Sequence, residues 1–402
     1  MLPLCAAENV VSAFSKIPLD TFLQEKYIMG GTLKYQENQN FIGSHKLFQI
    51  YQLLQKQCST MFHCKYADAR TLSGVNAVMT LLMSLFSSGD TILISSEDCG
   101  GHGSMPKICH RLGIRTIDMP YNYDLFDFDY EKCNKLLEDN HINGVLICIS
   151  DIIRMPQLYQ LHLPKECTMI FDATQILGLI ATNSIENPLH WFEDYQRFIL
   201  MGATHKTLPG PTCGLIMTNN LSLAKSFDTL INPDYLRNNQ LHHIVSLILT
   251  LMELEVHGNA YSNAIITNSN HLGELLTSYD FHVLRTDSGY TETHQLFLSM
   301  PLERAETFYE ACGRYDVSLN LRNKQLYKNC GIRIGTQEIS RYGWLDKEIS
   351  EIAQILRDIR DEQKSTDIPR RIHSLSSNKK IQFTLPSEYY LNLHSVLHNS
   401  QF

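Results

Sequence analysis

The sequence lacks several features that mark particular classes of protein. No apolar run among its 402 residues approaches the ~20 that are needed to cross a bilayer. The first residues, Met-Leu-Pro-Leu-Cys, lack the charged and then apolar pattern of a signal peptide. A formal net charge of −8 argues against non-specific binding of nucleic acid, which requires clustered Lys and Arg. We therefore expect neither a membrane nor a nucleic acid as a partner.

The 11 cysteines and 17 histidines lack the spacing of a metal site. The chain contains no CxxC pair and no HExxH motif, so we predict no dedicated metal site. An odd number of scattered cysteines without a secretion signal is typical of reduced thiols in a cytoplasmic protein. We therefore expect a cytoplasmic location.

The pattern of apolar runs predicts an α/β protein. Short runs, mostly apolar throughout, alternate with helical patterns, as buried parallel strands alternate with crossover helices. The strand-like runs cover residues 91–95, 144–150, 168–172, 197–201 and 214–218. The run at 214–218 comes shortly after the run before it, so it is a candidate for an antiparallel member of a mixed sheet.

The remainder of the chain predicts a second, smaller unit, because 402 residues exceed one ordinary hydrophobic core. A long helical stretch at about 242–279 is followed by strand-like runs at 281–285, 295–300 and 331–335 and by an amphipathic helix at about 346–362. The predicted organisation is an N-terminal arm (1–35), a large domain (36–265), a small C-terminal α+β domain (266–363) and a polar tail (364–402). Two interpretations of the tail stay open: it is mobile, or it lies over a partner subunit.

Two segments carry residues suited to binding a phosphorylated aromatic cofactor. Ser73-Gly74-Val75-Asn76 directly precedes a helical pattern, and the free N–H groups of a helix N-terminus favour an anion. A plain helix N-cap explains the same residues equally well. His102 lies in a glycine-rich segment after the run at 91–95, where α/β proteins place ligands, and an imidazole can stack on an aromatic ring. A lone histidine is more often structural.

Asp172 and Lys206 complete the constellation. Asp172 ends a run that we expect to be buried, and a buried carboxylate requires a cationic partner such as a protonated pyridine nitrogen. Capping of the next helix is the alternative. Lys206 follows the run at 197–201 in a segment unsuited to regular structure, and a lysine in a cofactor pocket becomes nucleophilic toward aldehydes. The order of these signals along the chain indicates pyridoxal phosphate.

The same residues resemble a known family, the serine hydroxymethyltransferases. The most specific match is the lysine loop, residues 204–211 (THKTLPGP), followed by 214–216 (GLI). Further segments that resemble the family are 4–9 (LCAAEN), 72–74 (LSG), 100–102 (GGH) and 331–336 (GIRIGT). The resemblance spans about residues 4–360. It implies the fold type I of pyridoxal-phosphate enzymes, with a mostly parallel mixed sheet in the large, cofactor-binding domain.

The resemblance implies a role for each matching residue. Lys206 would hold the cofactor as a Schiff base, and Asp172 and His102 would contact its ring. The remaining cofactor contacts would come from Ser73, Gly74, Val75, Ser150, Gln175 and His205. Arg333 would bind the carboxylate of the amino acid, for which a bidentate guanidinium is well suited.

The family is dimeric with shared active sites, so the resemblance also implies a homodimer. Tyr27 matches a tyrosine lent by the partner, and Asn238 falls where a partner backbone approaches the phosphate. The sequence departs from the family in several places, among them three in the expected catalytic and folate sites. Gln175 replaces a histidine, Met29 stands in the register of the catalytic glutamate with Glu37 as the nearest replacement, and the folate-binding loop is shortened to residues 320–330. These departures weaken the expectation that tetrahydrofolate is used.

The resemblance therefore implies an aldol-type enzyme, hydroxymethyltransferase-like or threonine transaldolase-like. It would act on glycine-, serine- or threonine-type amino acids through a quinonoid carbanion, with an aldehyde as a possible acceptor. The alternative is an aminotransferase, a decarboxylase or a β/γ-substitution enzyme that uses the same cofactor. A non-catalytic paralogue is a third interpretation, which the presence of Lys206 and Asp172 disfavours.

Overall fold

The computed structural model describes residues 1–33, 47–362, 367–386, 388–389 and 391. In these ranges the strands are β1 (Leu2–Pro3), β2 (Tyr66–Thr71), β3 (Thr91–Ile94), β4 (Arg115–Asp118), β5 (Tyr121–Asn122), β6 (Asp127–Phe128), β7 (Gly144–Cys148), β8 (Thr168–Asp172), β9 (Phe198–Ala203), β10 (Gly214–Thr218), β11 (Gln295–Ser299), β12 (Val317–Ser318), β13 (Asn320–Arg322) and β14 (Gly331–Gly335). The α-helices are α1 (Ala13–Lys16), α2 (Gln49–Phe62), α3 (Gly74–Leu85), α4 (Met105–Arg111), α5 (Tyr130–Asp139), α6 (Leu177–Ala181), α7 (Pro188–Trp191), α8 (Leu221–Thr229), α9 (Leu241–Ser278), α10 (Leu302–Arg314), α11 (Gln337–Arg341), α12 (Asp346–Arg360) and α13 (Ile368–Ser377).

The main sheet has seven strands in the order β2-β10-β9-β8-β7-β3-β4. Neighbours from β9 to β4 pair in parallel, whereas β10 pairs antiparallel with both β9 and β2. The prediction of an antiparallel member at 214–218 is thus confirmed. Successive residues of the central strands are buried on opposite faces, Met169 and Phe171 in one core and Ile170 in another. Burial on both faces explains why these strands are apolar throughout.

The predicted strands agree with the observed ones to within a few residues. The runs at 168–172 and 214–218 coincide with β8 and β10, and the other three differ at their ends. Two strands of the main sheet, β2 and β4, were not predicted, because their sequences YADART and RTID carry charged residues. In β2, Asp68 and Arg70 are nevertheless buried, since Arg70 pairs both with Asp68 and with Asp228 of α8.

The long helix α9 runs from the main sheet to a second, three-stranded antiparallel sheet in the order β11-β14-β13. The predicted helix at 242–279 matches α9 to within one residue at each end. The predicted strand at 281–285 is wrong: Val283 makes only an isolated bridge to Leu298. Phe281, Val283 and Leu284 are buried there, but the chain then turns away from the sheet through a hydrogen bond from the Thr286 N–H to the Gly289 carbonyl.

The described part of the C-terminal tail packs against its own chain. Arg371 in α13 forms ion pairs with Glu351 (2.5 Å) and Asp358 (2.7 Å) of α12. Thr384 donates a hydrogen bond to Glu253, a buried residue of α9. No described helix has the combination of length and apolar character that a membrane crossing requires.

Candidate active site

Four candidate residues lie at one edge of the main sheet. His102, Ser150, Asp172 and Lys206 follow or end β3, β7, β8 and β9, which are neighbours in the sheet. Because parallel strands end at the same edge, residues far apart in sequence come together there. This edge also carries the electrostatic contacts among His102, Asp172 and Lys206.

The loop of Lys206 is fixed by two neighbouring segments. Asn9 donates from its amide nitrogen to the Lys206 carbonyl (2.5 Å) and to the Tyr261 hydroxyl (2.7 Å), which joins the N-terminal segment, the lysine loop and α9. Thr207 donates to the Gln175 carbonyl (2.8 Å), which ties the same loop to the segment after β8. The chain is therefore held in place at Lys206 and at the residue directly after it.

Burial lowers the pKa of the Lys206 amine to about 8. The nearby Asp172 charge opposes this shift, and the Arg333 charge adds to it. A substantial fraction of the amine is therefore neutral near pH 7–8, and only a neutral amine attacks an aldehyde.

Asp172 lies at the end of β8 and is partly exposed, unlike the four strand residues before it. Its Oδ1 accepts a hydrogen bond from the Thr174 N–H (2.9 Å), and the Thr174 hydroxyl accepts one from the Ala203 N–H (2.7 Å). These bonds fix the end of β8 against the end of β9. A Cβ on Gly74 would lie 3.0 Å from the Ala203 Cβ, so the start of α3 packs on the same place.

The start of α3 has the geometry of an N-cap. The Ser73 hydroxyl accepts a hydrogen bond from the Asn76 N–H (3.2 Å), so the capping interpretation of this serine is confirmed. Gly74 and Val75 form the first turn of the helix, where N–H groups lack partners within the helix. A phosphate role for these residues stays a prediction.

His102 is positioned by its backbone. Its N–H donates to the Cys148 carbonyl (2.8 Å), and Gly100 before it has a φ of +96°. A Cβ on Gly100 would lie 2.5 Å from the Asp151 carbonyl oxygen, so the close approach requires glycine. Burial lowers the pKa of His102, Asp172 opposes the shift, and Lys206 adds to it, so the imidazole is neutral at pH 7.

His205 precedes the candidate lysine. Its Nδ1 is buried and has no hydrogen-bond partner among the described residues. Burial and the Lys206 charge lower the pKa of His205 to about 4. A buried ring nitrogen without a partner next to Lys206 fits a site that a polar ligand completes.

Gln175 is oriented by a residue that the sequence did not single out. Gln295 donates from its amide nitrogen to the Gln175 Oε1 (3.0 Å) and to the Ser150 carbonyl (3.1 Å). The Gln295 oxygen accepts from the Ile152 N–H (2.9 Å), which fixes its own orientation. With its oxygen occupied in this way, Gln175 has its amide nitrogen available as a donor.

Arg333 is buried and already engaged by its own chain. Its Nε and Nη2 donate to the Asn320 Oδ1 (3.1 and 2.8 Å), and its Nη1 donates to the Ser150 carbonyl (2.6 Å). Ser150 thus contributes its carbonyl to this contact. Nη1 also contacts Asp151 at 3.2 Å.

Asp151 is the functional candidate that sequence reasoning missed. Its side chain is fully buried and pairs with Arg322 (2.8 Å), Lys324 (2.8 Å) and Arg333 (3.2 Å), and it accepts a hydrogen bond from the Tyr327 hydroxyl (3.0 Å). Burial alone raises the pKa of Asp151, but the three cations outweigh it and lower the pKa to about 2. The signal was available, because Asp151 follows β7 as Lys206 follows β9. We call Asp151, Arg322, Lys324 and Arg333 the site cluster.

Tyr27 and Asn238 are the two residues that the resemblance assigns to the active site of a partner subunit. They lie close together in this chain. Asn238 accepts a hydrogen bond from the Ile28 N–H (3.0 Å), next to Tyr27, whose side chain is 42% exposed. Met29 is buried, and Glu37 lies outside the described residues. In the described part of the chain, no group of three or more His, Cys, Asp or Glu could hold a metal ion.

Comparisons with known proteins find a matching family model, similar sequences and a similar fold. The family model described as serine hydroxymethyltransferase matches residues 1–356. The chain is 28% identical to the serine hydroxymethyltransferase of Sulfolobus acidocaldarius, over 90% of this chain and 84% of that one. It is 29% identical to that of Picrophilus torridus, over 94% and 88%. The crystal structure of L-threonine transaldolase from Pseudomonas fluorescens, in its internal aldimine state, superposes with a TM-score of 0.92 at 20% identity, covering 99% of this chain and 93% of that one. This last likeness shows that the two proteins share a fold.

Proposed function

The chain belongs to the serine hydroxymethyltransferase family, and on that premise we propose that it is a pyridoxal-phosphate enzyme that makes or breaks the Cα–Cβ bond of amino acids. Its substrates are of the glycine, serine or threonine type. The observation that carries the proposal is the meeting of Lys206, Asp172 and His102 at the ends of neighbouring strands, next to the buried Arg333.

The residues present fit the cofactor. Lys206 supplies an amine with a lowered pKa, His205 supplies a buried ring nitrogen without a partner among the described residues, and Gly74 begins α3 beside the end of β9. In this proposal Lys206 holds the cofactor aldehyde, and Ser73, Gly74 and Val75 hold its phosphate. When bound, pyridoxal phosphate supplies an electron sink for the electron pair left on Cα.

The other residues bind and orient. Asp172 would hold the pyridine nitrogen in its protonated form, because a carboxylate beside the ring stabilises the positive charge. His102 would lie against the ring, and Gln175 would donate an amide hydrogen toward it. Arg333 holds the substrate carboxylate, and its bonds to Asn320 and Ser150 keep the guanidinium in one orientation.

Three finer statements belong to the proposal. The active enzyme is a homodimer in which Tyr27 and Asn238 reach the partner's site; their proximity to one another supports this. An aldehyde serves as the acceptor in place of a folate-bound carbon. The enzyme works in the cytoplasm, which is supported by all 11 cysteines being free thiols.

The experiment is an absorbance titration of the purified protein with glycine, L-serine and L-threonine, with and without tetrahydrofolate. We expect a long-wavelength band with glycine and release of acetaldehyde from threonine without folate. Conversion of the cofactor to its pyridoxamine form would instead indicate an aminotransferase. A spectrum that none of the three amino acids changes would contradict the proposed substrates.

Lys206→Ala tests the cofactor assignment. The variant should lose the visible absorbance of the bound cofactor while its far-ultraviolet circular dichroism stays unchanged, because the amine that holds the aldehyde is gone. Lys225→Ala is the matched control, since Lys225 is an exposed lysine of α8. Retention of the absorbance band by Lys206→Ala would show that another lysine holds the cofactor.

A further inference from the structure

The site cluster contains more positive charge than its own chain neutralises. Arg322, Lys324 and Arg333 all contact the single carboxylate of Asp151. One carboxylate balances one of the three cations, so the cluster carries an excess of about two positive charges. Burying unbalanced charge is costly, and a site of this kind is stabilised by a further anion.

Arg322 has donors to spare. Its Nε donates to Asp151 (2.8 Å), and its two terminal nitrogens make no hydrogen bond within the described part of the chain. The side chain is 25% exposed, compared with 2% for Arg333 and 0% for Asp151. Two free, parallel N–H groups of a guanidinium form the fork that binds a carboxylate through both oxygens.

The strand geometry directs Arg322 toward Arg333. Asn320 pairs directly with Arg333 across β13 and β14, and Arg322 lies two residues further along β13. Alternate residues of a strand point to the same face, so Arg322 lies on the face that carries Asn320 and Arg333.

The site cluster also borders the candidate lysine. Arg333 and Asp151 both act electrostatically on Lys206, and Lys324 acts on His102. The Lys324 amine donates to the carbonyl of Gly101, the residue before His102 (3.2 Å). An anionic group held by Arg322 would therefore lie beside Asp151 and Arg333, the two members of the site cluster that act on Lys206.

We propose that the site cluster binds a second anionic group of the substrate, a carboxylate on the β-carbon of a β-hydroxy amino acid and on the aldehyde that derives from it. This inference rests on the proposed function and names its substrate class. Arg333 takes the α-carboxylate, and Arg322, supported by Lys324, takes the second carboxylate. Each anion then has a guanidinium of its own.

The simplest reaction of this class is the cleavage of 3-hydroxyaspartate to glycine and glyoxylate, or its reverse. The Cα–Cβ bond breaks, the β-hydroxyl loses its proton as Cβ becomes the aldehyde carbon, and Cα gains a proton. No oxidant or reductant is consumed. L-Threonine is the matched comparison, because it differs from 3-hydroxyaspartate in carrying a methyl group where the latter carries a carboxylate.

The first test compares kcat/KM for 3-hydroxyaspartate and L-threonine of matching configuration, using the holoenzyme. We expect the wild type to prefer 3-hydroxyaspartate by about tenfold or more, and Arg322→Gln to remove most of that preference. Arg304→Gln, at an exposed arginine of α10, should keep it. Absence of a preference in the wild type, or an equal loss for both substrates in Arg322→Gln, would overturn the proposal.

The second test does not depend on cleavage. The thermal unfolding of the holoenzyme is measured with L-malate and with L-lactate at equal ionic strength, since these differ by one carboxylate and lack the amine. Malate should raise Tm more than lactate does, and Arg322→Gln should abolish the difference. Equal shifts in the wild type would reject the second anion site. If neither amino acid is cleaved while malate still stabilises, the proposed function fails and the anion site stands.

Discussion

Two buried groups of charged residues in this molecule differ in their ratio of cations to carboxylates. The site cluster places three cations around one carboxylate, at the end of β7. The second group, which we call the edge cluster, places two carboxylates around one cation: Arg70 contacts Asp68 (2.6 Å) and Asp228 (2.7 Å). Asp68 and Arg70 lie on β2, an outermost strand of the main sheet, and Asp228 lies on α8.

The edge cluster is closed by its own chain. The Arg70 guanidinium also donates to the Gly30 carbonyl (2.8 Å) and the Asp228 carbonyl (2.9 Å), and the Thr32 N–H donates to the Asp228 Oδ1 (2.7 Å). The Thr32 N–H thus stabilises the excess negative charge of the edge cluster. The bonds to Gly30 and Thr32 hold the N-terminal arm against the sheet. The edge cluster therefore does not require a ligand.

The site cluster is open in comparison. Its excess charge is positive, and it extends from buried Asp151 to Arg322 and Lys324, whose side chains are 25% and 11% exposed. The difference shows that burial of charge alone does not identify a functional site. The balance of charge and the presence of free donors distinguish a site from a structural contact.

The largest effect that we expect from breaking either cluster is that of Arg70→Met. The substitution leaves two buried carboxylates without a counter-charge, so the free energy of unfolding should fall by about 3–5 kcal/mol. Urea denaturation measures the loss, and Arg304→Met on the surface provides the control. A loss below about 1 kcal/mol would show that the edge cluster contributes little to the stability of the fold.

The edge cluster also explains what the sequence could not predict about the fold. Buried strands were recognised by apolar runs, and β8 and β10 were predicted to the residue. The same criterion missed β2, because Asp68 and Arg70 look like surface residues in the sequence. Their burial depends on Asp228, a contact between distant segments that no local pattern reveals.

Asp151→Asn breaks the site cluster, with a smaller effect on stability. The folded pKa of about 2 lies below the ~3.9 of an unfolded aspartate, so the Asp151 contribution is complete above about pH 5 and is lost as the pH falls toward 2. The variant should be less stable than the wild type by about 2–3 kcal/mol at pH 7, and the difference should shrink on acidification.

Chemical denaturation at several pH values measures this difference. Asp287→Asn is the matched control, because Asp287 is 71% exposed in its pair with Arg154 and should contribute little. A pH-independent difference between the wild type and Asp151→Asn would mean that the carboxylate does not titrate as its three cationic neighbours require.

The sequence pointed to more of the residues at the centre of the candidate site than of those that surround it. Lys206, Asp172 and His102 follow strands that the sequence identified, and the structure brings them to one edge. Asp151 follows a predicted strand as Lys206 does, but its role, like that of Gln295, depends on partners that are 120 or more residues away along the chain. The domain boundaries at 35, 265 and 363 stay predictions.

The smallest effect that we expect is a change in the pKa of Lys206 when the site cluster is altered. The cofactor-free protein should take up pyridoxal phosphate at a rate that rises with pH through about 8, well below the ~10.4 of an ordinary lysine, because only the neutral Lys206 amine reacts. The negative charge of Asp151 raises the pKa of Lys206, so Asp151→Asn should move the midpoint to a lower pH by a fraction of a unit. Asp287→Asn should leave it in place. A midpoint that moves upward in Asp151→Asn would mean that the loss of the carboxylate exposes the lysine to water instead of strengthening the positive field around it, and the electrostatic link between the two would then be wrong.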